Sequence, residues 1–267
     1  MPQPPRVESI AANSDSIGAR AARHLELAFR DIMREQGAML GERYLCQVTG
    51  EPHPFGNLAV ISDPGSEATT AAAVAPLLHL KVATMVLYTA GVSDGVAATL
   101  VGQGYARAAM PAMAVDIDRL PPSELPADYR WSRIGVGADG IEWCDVLAAG
   151  YDLPRGVARM LSPEALGADM AADAPIQFFG VRHGDRLVAT SMLYLADGLA
   201  GIYCVATLAE ERGKGLGAYV TAQALRIAHA VGYRVGVLQS SDQGHSVYLG
   251  IRFADVGWVP MFIRMPA

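Results

Sequence analysis

The feature that most limits the possible folds is the segment Arg212-Gly-Lys-Gly-Leu-Gly217, in which three glycines alternate with other residues. Residues 201–208 before it have the pattern of a strand. After it, apolar side chains recur at steps of four, four, three and four residues, which places them on one helix face: Leu216, Val220, Ala224, Ile227 and Val231. The glycines let successive backbone amides turn inward, and the helix N-terminus adds free amide donors. This strand–loop–helix unit is suited to bind a pyrophosphate, with Arg212 and Lys214 adding positive charge.

Other glycine-rich loops fit the sequence less well. A Rossmann loop requires the spacing Gly-x-Gly-x-x-Gly in a parallel strand pattern, and the spacing here differs. A Walker loop requires Gly-Lys followed by Ser or Thr, whereas Leu216 follows Lys214-Gly215. The short pattern is expected by chance about once in a Gly- and Ala-rich chain of this length. An ordinary strand-to-helix turn therefore stays open at this point.

The order of the expected elements indicates a mixed sheet. Beyond residue 128 the patterns predict a strand, two helices, three strands, a helix, a strand, a helix and a last strand, with a hairpin turn at His183-Gly-Asp185. A three-stranded meander followed by a strand–helix–strand crossover requires antiparallel and parallel neighbours in one sheet. The expected fold class is α/β (α+β), a mixed, mostly antiparallel central sheet flanked by helices.

A segment with three prolines, residues 119–128, separates two halves of the chain. The first half, residues 1–125, alternates helices and strands from a helix after Ser14-Asp-Ser16 to a strand over 109–117, but it contains no chemical motif. The second half, residues 126–267, carries the glycine loop. We therefore expect two domains with these bounds.

Composition restricts the class of protein. The 267 residues are 51% hydrophobic and 18% charged, as in globular proteins, and the net charge of −6 argues against general nucleic-acid binding. The most apolar stretch, residues 71–92, is interrupted by polar residues and a proline, and residues 1–9 lack the pattern of a secretory signal. We therefore expect a cytoplasmic protein without a membrane span. Three distant cysteines without metal-ligand spacing are expected to be reduced thiols, and no metal is expected: Cys46, Cys144 and Cys204.

Two segments together resemble the GCN5-related N-acetyltransferases, the GNAT family. Residues 202–217 look like the family's fourth strand and acetyl-CoA loop, and residues 238–253 look like the motif that follows, with Tyr248 at the family's distance. Two positions depart from the pattern. Ser241 stands where the family usually has asparagine, and Arg252-Phe253 stands where it usually has Gly-Phe. The resemblance covers residues 128–267.

The resemblance implies an N-acetyltransferase that moves an acetyl group from acetyl-CoA directly to a primary amine in a ternary complex. It also implies a cleft where two strands separate, with residues 205–207 near the acetyl and pantetheine portions and the amides of 213–217 near the pyrophosphate. Tyr248 matches the family's general-acid tyrosine, the alternative being a packed aromatic side chain. The implied cofactor-binding residues are Val205, Ala206, Thr207, Arg212, Gly213, Lys214, Gly215, Leu216, Gly217 and Ser241.

The sequence does not identify a general base. Glu210 and Glu211 adjoin the loop, but we expect both to be solvated; His183 and His245 are the other candidates. Cys204 is expected to face the interior of a strand and to have no covalent role, because the family transfers the acetyl group directly.

The acceptor is expected to be a small-molecule or peptide amine, and the protein a monomer or homodimer. We hypothesise that the N-terminal half is a degenerate GNAT-like copy that packs against the catalytic half, forms a wall of the acceptor site or replaces a dimer partner. A second function stays open, a non-catalytic acyl-CoA-binding or sensing protein, which needs the loop but not Tyr248. Turnover distinguishes these two functions, and a scaffold with an incidental loop would bind no acyl-CoA.

Overall fold

The computed structural model describes residues 14–266, with side chains from residue 17 onward. The expectation about residues 1–9 lies outside the described residues. The helices are α1 (Ser14–Arg34), α2 (Glu67–Leu78), α3 (Asp94–Gly102), α4 (Ala138–Tyr151), α5 (Arg155–Met160), α6 (Pro163–Leu166), α7 (Leu216–Ala230) and α8 (Asp242–Gly250). The strands are β1 (Met39–Leu40), β2 (Tyr44–Val48), β3 (Asn57–Ile61), β4 (Thr84–Tyr88), β5 (Ala106–Asp116), β6 (Tyr129–Ile134), β7 (Ile176–His183), β8 (Arg186–Ala196), β9 (Leu199–Thr207), β10 (Val235–Gln239) and β11 (Ala254–Arg264).

These elements confirm the order expected from the sequence, including the hairpin turn between β7 and β8. The short strand β1 was not expected. The helical stretch expected over 155–166 is two short helices, because Pro163 begins α6 at a position where its missing amide hydrogen costs nothing.

All strands lie in one 11-stranded sheet of order β1-β2-β3-β4-β11-β5-β10-β9-β8-β7-β6. Within residues 14–266, neighbouring strands are antiparallel except for the pairs β3–β4 and β9–β10, each joined by a helical crossover. The mixed, mostly antiparallel sheet expected from the sequence is therefore confirmed.

The last strands of the two halves are exchanged. β5, from the N-terminal half, pairs with β10, and β11, at the end of the chain, pairs with β4. β5 and β11 also pair with each other over 106–114 and 254–263. The order β2-β3-β4 followed by the inserted β11 repeats the order β8-β9-β10 followed by the inserted β5. The two halves thus share one sheet, and each depends on a strand from the other.

Helix α1 connects the halves on one face of the sheet. Its apolar side chains face inward at helical spacing: Ile17, Ala21, Leu25, Ala28 and Ile32. The helix packs across β11, β5 and β10 and reaches β9 and β8 of the C-terminal half. Among residues 14–266, none of the helices has both the length and the apolar character needed to traverse a bilayer.

The strand exchange predicts that the two halves unfold together. Phe262 on β11 is fully buried beside Tyr88 of the N-terminal half, with ring centroids 6.0 Å apart. We expect Phe262→Ala to lower the free energy of unfolding by about 3–5 kcal/mol. Urea unfolding followed by circular dichroism and tryptophan fluorescence should show one transition with a lower midpoint.

The matched control is Trp258→Ala on the same strand, because that side chain is 63% exposed and should change stability by only about 0.5 kcal/mol. Two separate transitions, of which Phe262→Ala moves only one, would contradict the coupling.

Candidate active site

A cleft opens where β9 and β10 separate. The two strands pair only at Ala200 with Gly236 and at Gly201 with Val237. Beyond that point β10 follows β5, since the Ser240 amide donates to the Pro111 carbonyl at 3.0 Å. β9 instead stays with β8 as far as Thr207. Among residues 14–266, one edge of residues 202–207 is therefore left without a strand partner, and its backbone groups are available to a ligand.

A bulge in β9 lies beside the point of separation. The register with β8 shifts there, and Cys204 has a φ of 53°. Its carbonyl accepts a hydrogen bond from the Thr190 hydroxyl at 2.9 Å, which holds the bulge. Burial raises the pKa of the Cys204 thiol to about 12, so the thiol is protonated near neutral pH. A protonated thiol is not the nucleophilic form of cysteine.

The glycine loop adjoins this cleft and has free amide groups. Gly213 and Gly215 have φ values of 78° and 76°, and Gly215 is the N-cap of α7. A Cβ at either position would meet no atom within 4 Å, so the loop surface is open. Within residues 14–266, the amides of 213–217 donate to no backbone carbonyl. Together with the positive end of α7, they can bind an anion such as a pyrophosphate.

Both cationic side chains of the loop already have protein partners. Arg212 donates to the carbonyls of Thr207 and Gly150 at 3.2 and 3.1 Å. It therefore ties the loop to the end of β9 and to α4. Lys214 donates to the Glu211 carboxylate at 2.7 Å. These contacts fix the shape of the loop, whereas the sequence predicted that the two side chains would add positive charge to a pyrophosphate site.

Glu211 is buried, which corrects the expectation that it is solvated. Its carboxylate accepts hydrogen bonds from Lys214, from the Tyr129 hydroxyl at 2.6 Å and from His183 at 2.9 Å. These donors lower the pKa of Glu211 from 4.5 to about 2, so it is ionised near neutral pH. His183 also stacks on Tyr129, with ring centroids 4.4 Å apart. Glu210 is exposed, as expected.

Three ionisable side chains have raised pKa values: Tyr248, Tyr151 and Cys204 of β9. Tyr248 on α8 is buried, and burial raises its pKa to about 12. The side chain of Tyr151, at the end of α4, is 41% exposed, yet desolvation raises its pKa well above 10. A tyrosine can be both exposed and poorly hydrated when it lines a concave surface. Tyr248 and Cys204 also raise the pKa of Tyr151 by their charges, which places the three groups in one neighbourhood.

Two further residues identified from the sequence lie on α8. His245 pairs with Asp255 through Nε2 and Oδ1 at 2.8 Å, and both side chains are partly exposed. Ser241 caps the helix, its hydroxyl oxygen accepting from the Gly244 amide at 3.2 Å. The sequence did not identify Tyr151 or Asp255, because neither has a fixed spacing from the glycine loop.

A groove of about 710 Å³ lies elsewhere, beside the N-terminal half. It is lined by α1, by the ends of β3 and β4 and by β11. Its acidic residue Glu26 is paired with Arg30 at 3.0 Å. The groove contains none of the site residues identified from the sequence.

The strand separation, the bulge and the open loop belong to a segment that matches a known family. Residues 147–250 match the model of the acetyltransferase (GNAT) family. The C-terminal half of the chain contains a GNAT domain. The resemblance seen in the sequence is confirmed, and the family supports an acyltransferase in general terms. No curated protein matches the chain.

Solved structures show the same fold over nearly the whole chain. A GCN5-related N-acetyltransferase from Kribbella flavida is 20% identical, with a TM-score of 0.66 over 92% of this chain and 96% of that one. A GCN5-related N-acetyltransferase from Sphaerobacter thermophilus is 14% identical, with a TM-score of 0.57 over 96% and 94%. A conserved protein of unknown function from Staphylococcus epidermidis is 13% identical, with a TM-score of 0.59 over 86% and 93%.

The Glu211 cluster predicts a pH-dependent contribution to the stability of the GNAT domain. Because the pKa of Glu211 is lowered from 4.5 to about 2 in the folded protein, its stabilisation is complete above 4.5 and is lost as the pH falls toward 2. We expect Glu211→Gln to lower the melting temperature near neutral pH, and this difference from wild type to shrink below pH 4.5.

Thermal melts at a series of pH values test this prediction, with Glu210→Gln as the control. Glu210 is exposed and pairs only with exposed Arg186 at 2.9 Å, so its replacement should have little effect. A Glu211→Gln deficit that stays constant into the acid range would assign the loss to packing instead of charge.

Proposed function

We propose that the protein is an N-acetyltransferase that uses acetyl-CoA as the acetyl donor and a primary amine as the acceptor. The observation that carries the proposal is the set of free amides at 213–217, placed at the end of two diverging strands. A pyrophosphate needs several hydrogen-bond donors that converge on it. The extended pantetheine portion of coenzyme A needs a slot lined by unpaired backbone groups. The chain has both features side by side, so acetyl-CoA fits the residues present.

Each proposed contact has a structural basis. The amides of Gly213, Lys214, Gly215, Leu216 and Gly217 would hold the pyrophosphate. The unpaired edge formed by Val205, Ala206 and Thr207 would receive the pantetheine and acetyl portions. Arg212 would position the loop through its two backbone contacts. The Ser241 oxygen accepts a hydrogen bond in the helix cap, which leaves its hydroxyl proton for the cofactor.

When bound, acetyl-CoA would supply a thioester: the amine nitrogen bonds to its carbonyl carbon and releases a proton to solvent, the carbon–sulfur bond breaks, and the thiolate leaves and takes up a proton. Tyr248 is the proposed donor of that proton. With a pKa raised to about 12, Tyr248 keeps its proton throughout the neutral range. Unpaired amides along β9 would stabilise the negative charge that develops on the carbonyl oxygen.

We also infer that the chain is a tandem pair, with a non-catalytic first unit ending near residue 125. The repeated strand order of the two halves supports this division. β3 and β4 remain paired from Leu58–Met85 to Ile61–Tyr88, and the Thr89 amide continues the ladder to Ile61. The N-terminal unit therefore has no equivalent of the open slot.

The first test is calorimetric titration with acetyl-CoA. Gly215→Val puts a β-branched residue at a φ of 76°, a conformation that such residues rarely adopt. We expect it to weaken acetyl-CoA binding by about tenfold or more, since left-handed backbone costs about 1–2 kcal/mol and the amides lose their alignment. Gly65→Val is the matched control, because it also has open space and lies in the N-terminal half. Absence of binding to the wild type would refute the proposal.

The second test is turnover. We expect Tyr248→Phe to lower kcat by about a hundredfold, the lower end of the contribution of a general acid, and to leave the dissociation constant for acetyl-CoA unchanged. Acetyl transfer is measured by chromatography with ethylamine as a minimal acceptor. Binding without transfer to any of a panel of amines would favour the acyl-CoA-binding alternative. If kcat is unchanged in Tyr248→Phe, Tyr248 is not the general acid and serves only as a packed aromatic side chain.

A further inference from the structure

A histidine of the N-terminal half lies against the strand that carries the proposed acetyl site. His24 on α1 is fully buried, and its Nδ1 lies 2.8 Å from the Tyr203 hydroxyl on β9. Its ring is parallel to that of Tyr203 and edge-on to that of Tyr194. A Cβ at Gly201 would come within 2.3 Å of the His24 ring, so only glycine leaves room for it. Packing thus fixes the imidazole in one orientation.

The tautomer of the ring decides the direction of the hydrogen bond between His24 and Tyr203. Burial lowers the pKa of His24 to about 4, so the ring is neutral near pH 7. The carbonyl groups of Leu199 and Tyr194 act in the opposite direction, as acceptors that face the ring. Nε2 is buried and makes no hydrogen bond of normal geometry within residues 14–266. With the proton on Nε2, the Nδ1 lone pair accepts the Tyr203 hydroxyl proton at 2.8 Å.

Tyr203 lies at the point where the cleft begins. Gly201 is the last residue of β9 that pairs with β10, and Tyr203 follows two positions later, directly before the bulge at Cys204. The Tyr203 side chain is partly exposed to solvent, whereas His24 is fully buried. Tyr203 shares its face of β9 with Gly201, against His24 of α1, whereas the alternate residues Ala200 and Ile202 belong to the same buried cluster as Tyr248. The two tyrosines therefore approach the cleft from opposite faces of the sheet.

We propose that Tyr203 binds the acceptor amine and that His24, supplied by the N-terminal half, is the positioning residue that aims it. A hydroxyl that donates to His24 has only lone pairs left for a ligand, so it accepts an N–H from the amine. Such a contact would hold the amine on the face of β9 that faces α1, opposite the cluster that contains Tyr248. The proposal rests on the proposed function, and it gives the N-terminal half a defined part in the acceptor site.

The tautomer can be measured in the unaltered protein. Two-dimensional ¹⁵N spectra of histidine-labelled protein near neutral pH should show a neutral His24 protonated on Nε2, assigned by loss of the signal in His24→Asn. A proton on Nδ1 would overturn the proposal, because His24 would then donate to Tyr203 and the hydroxyl proton would point away from it. This measurement does not depend on acetyl-CoA or on activity.

Kinetics with ethylamine test the role of the pair. We expect Tyr203→Phe and His24→Leu each to lower kcat/KM for ethylamine by about tenfold, the effect of one hydrogen bond, with unchanged calorimetric affinity for acetyl-CoA. His24→Asn places an oxygen near the position of Nδ1 and should restore most of the loss. Tyr194→Phe is the matched control, since its hydroxyl binds Asp31 and not His24.

The outcomes separate the two proposals. Failure of the wild type to bind acetyl-CoA refutes the proposed function itself. Normal binding with an unchanged ethylamine dependence in Tyr203→Phe overturns the assignment of the pair, as does normal binding without any transfer to ethylamine. A His24→Asn variant as impaired as His24→Leu, with the same melting temperature, would also overturn it.

Discussion

The site depends on one constraint, the unequal pairing of β10 with the two strands on either side of it. β10 pairs with β5 through five consecutive residues but with β9 through only two. β10 stays paired with β5, a strand from the other half of the chain, over the residues where it no longer pairs with β9, and the slot lies at that point. The unpaired edge of β9 would otherwise be satisfied by its neighbour, as buried backbone groups require. The sheet of the C-terminal half is therefore incomplete without a strand of the N-terminal half.

A second set of contacts prepares the glycine loop. Lys214 donates to the Glu211 carboxylate, and Arg212 donates to backbone carbonyls. Because both side chains are bound in this way, their positive charges do not repel one another at the open surface of the loop. The Glu211 carboxylate in turn joins β6 and β7 to the loop through Tyr129 and His183. A loop held in this way loses little conformational entropy when an anion binds to its amides.

Local patterns in the sequence were sufficient for the elements, the mixed sheet and the loop, because periodicity and glycine spacing act within a few residues. They could not predict the exchange of β5 and β11, since the pairing of two similar strands with either half depends on tertiary packing. They also failed for Glu211, whose burial depends on donors 28 and 82 residues away. His24 carried no signal at all, because its partner Tyr203 lies 179 residues further along the chain.

The turn after β3 shows why the N-terminal unit would not bind the same ligand. It occupies the place that the glycine loop has after β9, yet its amides are already used. The Asp63 carboxylate accepts from the amides of Gly65 and Ser66, and the Ser66 hydroxyl accepts from Thr69. A carboxylate at this position supplies the negative charge that a phosphate would bring and repels any other anion. Side-chain capping and closed strands together favour a supporting role for this unit, whose helix α1 packs against β9 of the other half.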